Sequence, residues 1–157
     1  MLFDQLALHE GDRVLDVAFG TGIVTRVAVE RHRNLASIVG FDFNGGMLEV
    51  AKANTPTTDT PIEWQQGDMC ALPFPDDAFD VVLCQQGLQF APDKLAALCH
   101  MRRVLSPDGR LAFTVWSEVY PLMAATVEEV RAALQSYRGG DDFVMPARSH
   151  LVQARAS

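Results

Sequence analysis

The sequence predicts an α/β fold built on a mostly parallel sheet. Three observations carry that expectation. Short apolar runs alternate with helix-like periodicities, which calls for right-handed crossovers and a sheet covered on both faces. A Gly20-Thr21-Gly22 turn separates the first apolar run from the first helical pattern. Three acids, Asp16, Asp42 and Asp68, stand at even spacing of 26 residues, about one strand-helix unit each.

The strand-like runs are residues 13–18, 37–42, 62–66, 79–84 and 110–116. Helix-like runs are residues 22–33, 45–54, 92–105 and 122–137. On the last, Met123, Val127, Val130, Leu134 and Tyr137 recur at helical steps and make one apolar face. Ser106-Pro107-Asp108-Gly109 reads as a turn between helix and strand. Residues 55–61 are polar and Pro-rich, as in an exposed loop.

Composition sets the limits. The 157 residues are 48% hydrophobic and 21% charged, which suits one folded domain over residues 1–157. Twenty acids against 13 Lys and Arg give a net charge of −7, which argues against a nucleic-acid surface. Arg31, His32 and Arg33, and again Arg102 and Arg103, read as solvated helix faces. Cys70, Cys84 and Cys99 lack CxxC spacing and suggest reduced thiols in the cytoplasm. No apolar run approaches the ~20 residues of a membrane helix, and no leader pattern opens the chain. A membrane partner is therefore not expected.

The glycine loop lets a ligand approach bare backbone at a helix N-terminus, which suggests a nucleotide-like cofactor. In parallel sheets such ligands bind at the carboxyl ends of the strands. Asp16, Asp42 and Asp68 should all reach that rim. A carboxylate after the second strand can accept both ribose hydroxyl protons, and one after the third can accept from an exocyclic adenine amine. Asp16 sits under the loop, where it could hold backbone amides or a ligand ammonium. The alternative is that each acid caps a helix or turn. Met47 and Met69 offer thioethers to an adenine face, or simply to the core.

Several blocks in order resemble class I S-adenosylmethionine (SAM)-dependent methyltransferases, and within them the ubiquinone/menaquinone biosynthesis type of small-molecule enzyme. The blocks are Val14-Leu15-Asp16-Val17-Ala18-Phe19-Gly20-Thr21-Gly22, Val39-Gly40-Phe41-Asp42-Phe43-Asn44-Gly45-Gly46-Met47-Leu48 and Gly67-Asp68-Met69-Cys70-Ala71-Leu72-Pro73-Phe74. Phe79-Asp80-Val81-Val82, Gln85-Gln86-Gly87-Leu88-Gln89-Phe90 and Arg103-Val104-Leu105-Ser106-Pro107-Asp108-Gly109-Arg110-Leu111 follow. The resemblance implies a three-layer αβα, Rossmann-like methyltransferase sheet whose last strand is antiparallel. It implies SAM as cofactor, S-adenosylhomocysteine as product and a small-molecule acceptor. By position, Ala18, Phe19, Gly20 and Gly22 belong to the methionine-side loop, and Asp42 to the ribose. Phe43, Met47, Asp68 and Met69 belong to the adenine, Gln85 and Gln86 to the methyl end, and Asp16 to the floor of the loop.

Three departures from the family are visible. Phe19 stands where a small residue is usual, so its ring should stack on the ligand or crowd it. Residues 128–157 read as a helix and a final strand, with no sixth strand. The N-terminal cap and the substrate-lid insertion of the family are not evident in the sequence. Without a sixth strand the last strand would be an open edge that invites self-association.

SAM carries its own leaving group, so no covalent catalytic residue and no metal are expected. His9, His32, His100 and His150 are weak candidates for a general base. Trp116 and Tyr120 follow the fifth strand as substrate-side candidates. Two other functions are open: a SAM-binding core without turnover, and, more remotely, an NAD-dependent oxidoreductase. The latter is disfavoured because Thr25 replaces the third glycine of its fingerprint.

Overall fold

Val14, Leu15 and Val17 make β1, Arg13–Val17, a strand that must be covered on both faces. The computed structural model describes residues 7–116, 143–144 and 149–155. In chain order β1 is followed by α1 (Ile23–Arg31), β2 (Ser37–Asp42), α2 (Gly45–Asn54) and β3 (Ile62–Gln66). Then come β4 (Phe79–Gln85), α3 (Lys94–Arg103), β5 (Leu105–Trp116), β6 (Phe143–Val144) and β7 (Ser149–Arg155). Short 3₁₀ turns lie at Met69–Ala71 and Leu88–Phe90.

The sheet order is β3-β2-β1-β4-β5-β7-β6. Strands β1 to β5 pair in parallel and form the Rossmann-like part of the fold. The chain leaves β1 first towards β2 and β3, then returns to build β4 and β5 on the other side. Right-handed crossovers therefore put α1 and α2 on one face and α3 on the other. The reversal at β1 and β4 is where such sheets open a crevice.

Period-two alternation divides the core accordingly. Val14, Ile38, Val81, Leu83 and Ala112 pack with Val24, Ala28 and Val29 of α1. Leu15, Val17, Phe41, Val82 and Phe113 pack with Ala97, Leu98 and Met101 of α3. Each fully buried Val, Leu or Phe stabilises by roughly 1.5–3 kcal/mol relative to exposure. Local chemistry starts the helices. Asn44 Oδ1 accepts from Gly46 N at 2.9 Å at the head of α2, and Asp93 Oδ1 accepts from Ala96 N at 2.9 Å at the head of α3.

Some expectations are corrected. The turn at Ser106–Gly109 lies within β5 as a bulge. The register moves from Phe79↔Leu105 to Val81↔Arg110, two steps on β4 against five on β5, and Asp108 takes φ +63°. A sixth strand exists: Phe143 and Val144 pair antiparallel with Val152 and Leu151 of β7. Two residues are too short to leave a periodic signal in the sequence. β7, which pairs antiparallel with β5, is therefore not the outermost strand. Tyr120 and the helix expected over residues 122–137 lie outside the described residues. Among the described residues no helix is long and apolar enough to cross a membrane, and no cluster of three metal-ligating side chains occurs.

The amino rim of the sheet is tied by ion pairs. Arg13 Nε and Nη2 donate to Asp80 Oδ2 and Oδ1, each at 2.9 Å, and the Arg13 amide adds a third bond at 2.9 Å. The guanidinium holds Asp80 down to about 2. A depressed carboxylate stabilises the fold above its unfolded pKa near 4, and that contribution disappears as pH falls through 2. Asp80→Asn is expected to cost about 1–2 kcal/mol at pH 7, after discounting for partial exposure. The difference from the unsubstituted chain should close between pH 4 and 2, read by urea unfolding across that range.

Candidate cofactor cleft

The carboxyl ends of β1, β2 and β4 and the turn after β3 surround a cleft of about 750 Å³. That volume suits a ligand of nucleoside size or larger. Asp42 organises it. As the last residue of β2, it accepts from Gly20 N through Oδ2 and from Asn44 N through Oδ1, each at 2.8 Å. The carboxylate thus joins the β1 loop to the head of α2. Each of its oxygens keeps lone-pair capacity for an arriving hydroxyl.

The β1 loop owes its shape to left-handed backbone. Ala18 and Gly20 both have φ +56°, and Gly22, φ +75°, caps α1. No atom lies within 4 Å of where a Cβ at Gly20 would stand, so a ligand can approach that backbone. Opposite, Gln86 also takes φ +56°, and its amide donates to the Thr114 carbonyl of β5 at 2.8 Å.

Ten of the twelve residues singled out from the sequence line this cleft: Ala18, Phe19, Gly20, Asp42, Phe43, Met47, Asp68, Met69, Gln85 and Gln86. Asp68 also caps the 3₁₀ turn, accepting from Cys70 N at 2.8 Å, so the capping reading and the rim position hold together. Phe43 is 74% exposed at the mouth.

Asp16 and Gly22 do not line the cleft. Gly22 faces Trp64 and Ala51, where a Cβ would come within 3.1 Å of each. Asp16 lies within β1 rather than at its end, and the alternation turns it towards α1. It is 1% exposed, and its Oδ2 accepts from Thr25 Oγ1 at 2.7 Å. Burial, with the like charge of Asp42 as a lesser cause, pushes its carboxyl up to about 7 against the Thr25 hydrogen bonds.

Phe19 does not crowd the cleft with its ring. Only 5% exposed, it packs on Trp64 with ring centroids 4.7 Å apart and planes at 60°. Gly40 makes the room: a Cβ there would stand 2.4 Å from the Trp64 ring and 3.0 Å from the Phe19 ring. Gly40→Ala is expected to cost about 1–3 kcal/mol, as an overpacked core does, read as a lower urea midpoint with unchanged m-value.

Residues not singled out as ligand contacts also line the cleft, among them Ile23, Asn44, Phe90 and Pro92. Phe90 is 72% exposed at the mouth. Asn44 carried a visible signal, since Asn before Gly-Gly marks a helix N-cap at the ligand rim. Of the histidines, His9 precedes β1, His32 caps the end of α1 and His100 is on α3, and none of these three lines the cleft; His150 is on β7.

A doubly wound sheet with an acid-ended second strand and a backbone-lined cleft is the architecture in which nucleotide-type ligands bind. The chain belongs to the methyltransferase domain family, whose pattern it matches over residues 15–113. It is 33% identical over 126 residues to the 2-phytyl-1,4-naphtoquinone methyltransferase of Synechococcus elongatus, covering 79% of this chain and 54% of that protein. It is 41% identical over 103 residues to the demethylmenaquinone methyltransferase of Deinococcus radiodurans, covering 66% and 42%. The chain thus spans about half the length of the curated relatives it matches. The S-adenosylmethionine dependent methyltransferase structure from Mesorhizobium loti superposes with TM-score 0.80 at 19% identity, over 98% of this chain and 95% of that one. This last likeness shows the fold.

Proposed function

We propose that residues 1–157 form one core domain that binds SAM and passes its methyl group to a small-molecule acceptor. The observation that carries this is the Asp42 carboxylate, bonded to the amides of Gly20 and Asn44 at the cleft rim with lone pairs left for a ribose. The donor set fits the rest of the cofactor. Phe43 and Met47 offer apolar surface to one side of an adenine. Asp68 offers an acceptor to its amine, and Met69 a thioether to its face. The backbone of Ala18, Phe19 and Gly20, with Gln85 and Gln86 across the cleft, faces the methionine end. Bound SAM supplies a sulfonium methyl open to in-line attack. The chain's task is to hold that methyl against the acceptor and exclude water. The relatives' names point to quinone-like acceptors, and we extend that class to this chain.

Calorimetry with SAM and S-adenosylhomocysteine tests the reading, followed by a labelled methyl-transfer screen over quinols. Binding of neither ligand overturns it. Tight binding without transfer to any acceptor favours a binding core without turnover. The oxidoreductase reading loses further ground, because Thr25 is buried between α1 and β1, where its hydroxyl holds Asp16. We place the protein in the cytoplasm, where Cys70, Cys84 and Cys99 remain thiols. No nucleic-acid or membrane partner is proposed. Among the described residues β6 pairs only with Leu151 and Val152 of β7, and we propose the rest of that edge as the surface for any self-association.

A further inference from the structure

Asp16 is the buried acid that the proposed binding scheme leaves without a task. Its Oδ2 is held by Thr25, while its Oδ1 is buried and meets no hydrogen-bond donor among the described residues. An ionised carboxylate in such a place needs a positive charge or more donors. The neighbouring elements offer neither. α1 contributes the hydroxyl and amide of Thr25. The titratable groups that act on Asp16 from β2 and β4 are Asp42 and Cys84, one an acid and the other a thiol that burial keeps protonated. Arg26 of α1 donates instead to the Thr21 carbonyl. Two residues further along the chain, Ala18 lines the cleft.

We propose that Asp16 is a buried charge sensor, which gives up a proton when a cation binds in the adjoining cleft. The site would then favour a sulfonium ligand over its neutral thioether product increasingly as pH rises. This rests on the cofactor reading above. The sign follows from linkage. Asp16, pushed up to about 7 by burial, is partly protonated near neutral pH. A nearby fixed positive charge stabilises the carboxylate, so binding lowers its pKa and releases a proton. The cation therefore binds more tightly above the titration than below it. SAM and S-adenosylhomocysteine share their amino and carboxyl groups, and the fixed charge by which they differ is the sulfonium. The sulfonium also lowers the pKa of SAM's own amino group below that of S-adenosylhomocysteine, so the share of the ratio due to Asp16 is read as the difference between the parent chain and Asp16→Asn. Two unit charges about 10 Å apart at an effective dielectric of about 20 change an equilibrium constant by roughly ten-fold.

The test is calorimetry with both ligands at pH 5.5 and pH 8.5, each in two buffers of different ionisation enthalpy. The SAM to S-adenosylhomocysteine affinity ratio should rise roughly ten-fold more between the two pH values in the parent than in Asp16→Asn. The parent should release on the order of 0.4 proton more than Asp16→Asn on binding SAM at pH 7. Folding of Asp16→Asn is checked by thermal melting. Thr25→Val, which keeps the acid but removes its hydroxyl donor, should move the midpoint to higher pH. Binding of both ligands with the same pH dependence of the ratio in the parent and in Asp16→Asn overturns the sensor and leaves the cofactor reading standing. Failure of both ligands to bind at either pH overturns the cofactor reading and the sensor with it.

Discussion

Asp42→Ala should lower SAM affinity by about 100-fold or more, an effect of about 3 kcal/mol. Two losses combine. In the proposed scheme the ribose hydroxyls lose a charged acceptor, worth about 1.5–3 kcal/mol where the bond is charge-assisted. The amides of Gly20 and Asn44 lose the group that sets the β1 loop against α2. Asp42→Asn separates the two, because its carbonyl can still accept from one amide while its NH₂ cannot accept at all. It should bind SAM more weakly than the parent and more tightly than Asp42→Ala. Calorimetry with all three chains, alongside thermal melting, checks this order. Equal affinity of Asp42→Ala and the parent would remove Asp42 from the binding scheme.

Arg110→Ala is expected to destabilise the fold by about 3–5 kcal/mol, a large share of the roughly 5–15 kcal/mol that holds a domain folded. Arg110 sits at the start of the regular part of β5, and its Nη2 lies 2.6 Å from both Asp12 oxygens. The two side chains are 13% and 9% exposed, so this is the most enclosed of the ion pairs described here. Asp12 also accepts from His9 N at 2.6 Å, and the guanidinium reaches the Ala7 carbonyl. Truncating the arginine leaves a buried carboxylate without its cation. Replacing both partners by apolar residues, as in Asp12→Leu with Arg110→Met, should cost less than Arg110→Ala alone. Urea unfolding of the three chains measures the difference. A double variant less stable than Arg110→Ala would show that the pair contributes more than mutual neutralisation.

Much of the fold was legible because the signals were local. Strands β2 and β3 and helix α2 lie where alternation and turn residues place them, and β1 and β4 differ at one end by a residue. Features set by tertiary contact were not legible. The strand-like run over residues 13–18 already extended past Asp16, but whether its carboxylate met rim or core depended on its partner on α1, Thr25. The ring of Phe19 reads as stacking on a ligand until Gly40 and Trp64, distant in sequence, are seen to receive it, while Phe19 itself still lines the cleft. Thr25 reads as a failed glycine, yet its hydroxyl is the one side-chain donor to the buried acid. The bulge at Ser106–Gly109 and the two-residue β6 exist through pairing with strands elsewhere in the chain, which periodicity cannot register.

The double attachment of Asp42 has a kinetic consequence. The β1 loop is held to the second strand before any ligand arrives, so little ordering remains to be done on encounter. Association should then be limited by diffusion and orientation, not by a slow loop rearrangement, and affinity differences among analogues should appear in their residence times. The carboxylate proposed to receive the ribose would also act as the timer that decides how long the cofactor waits for its acceptor.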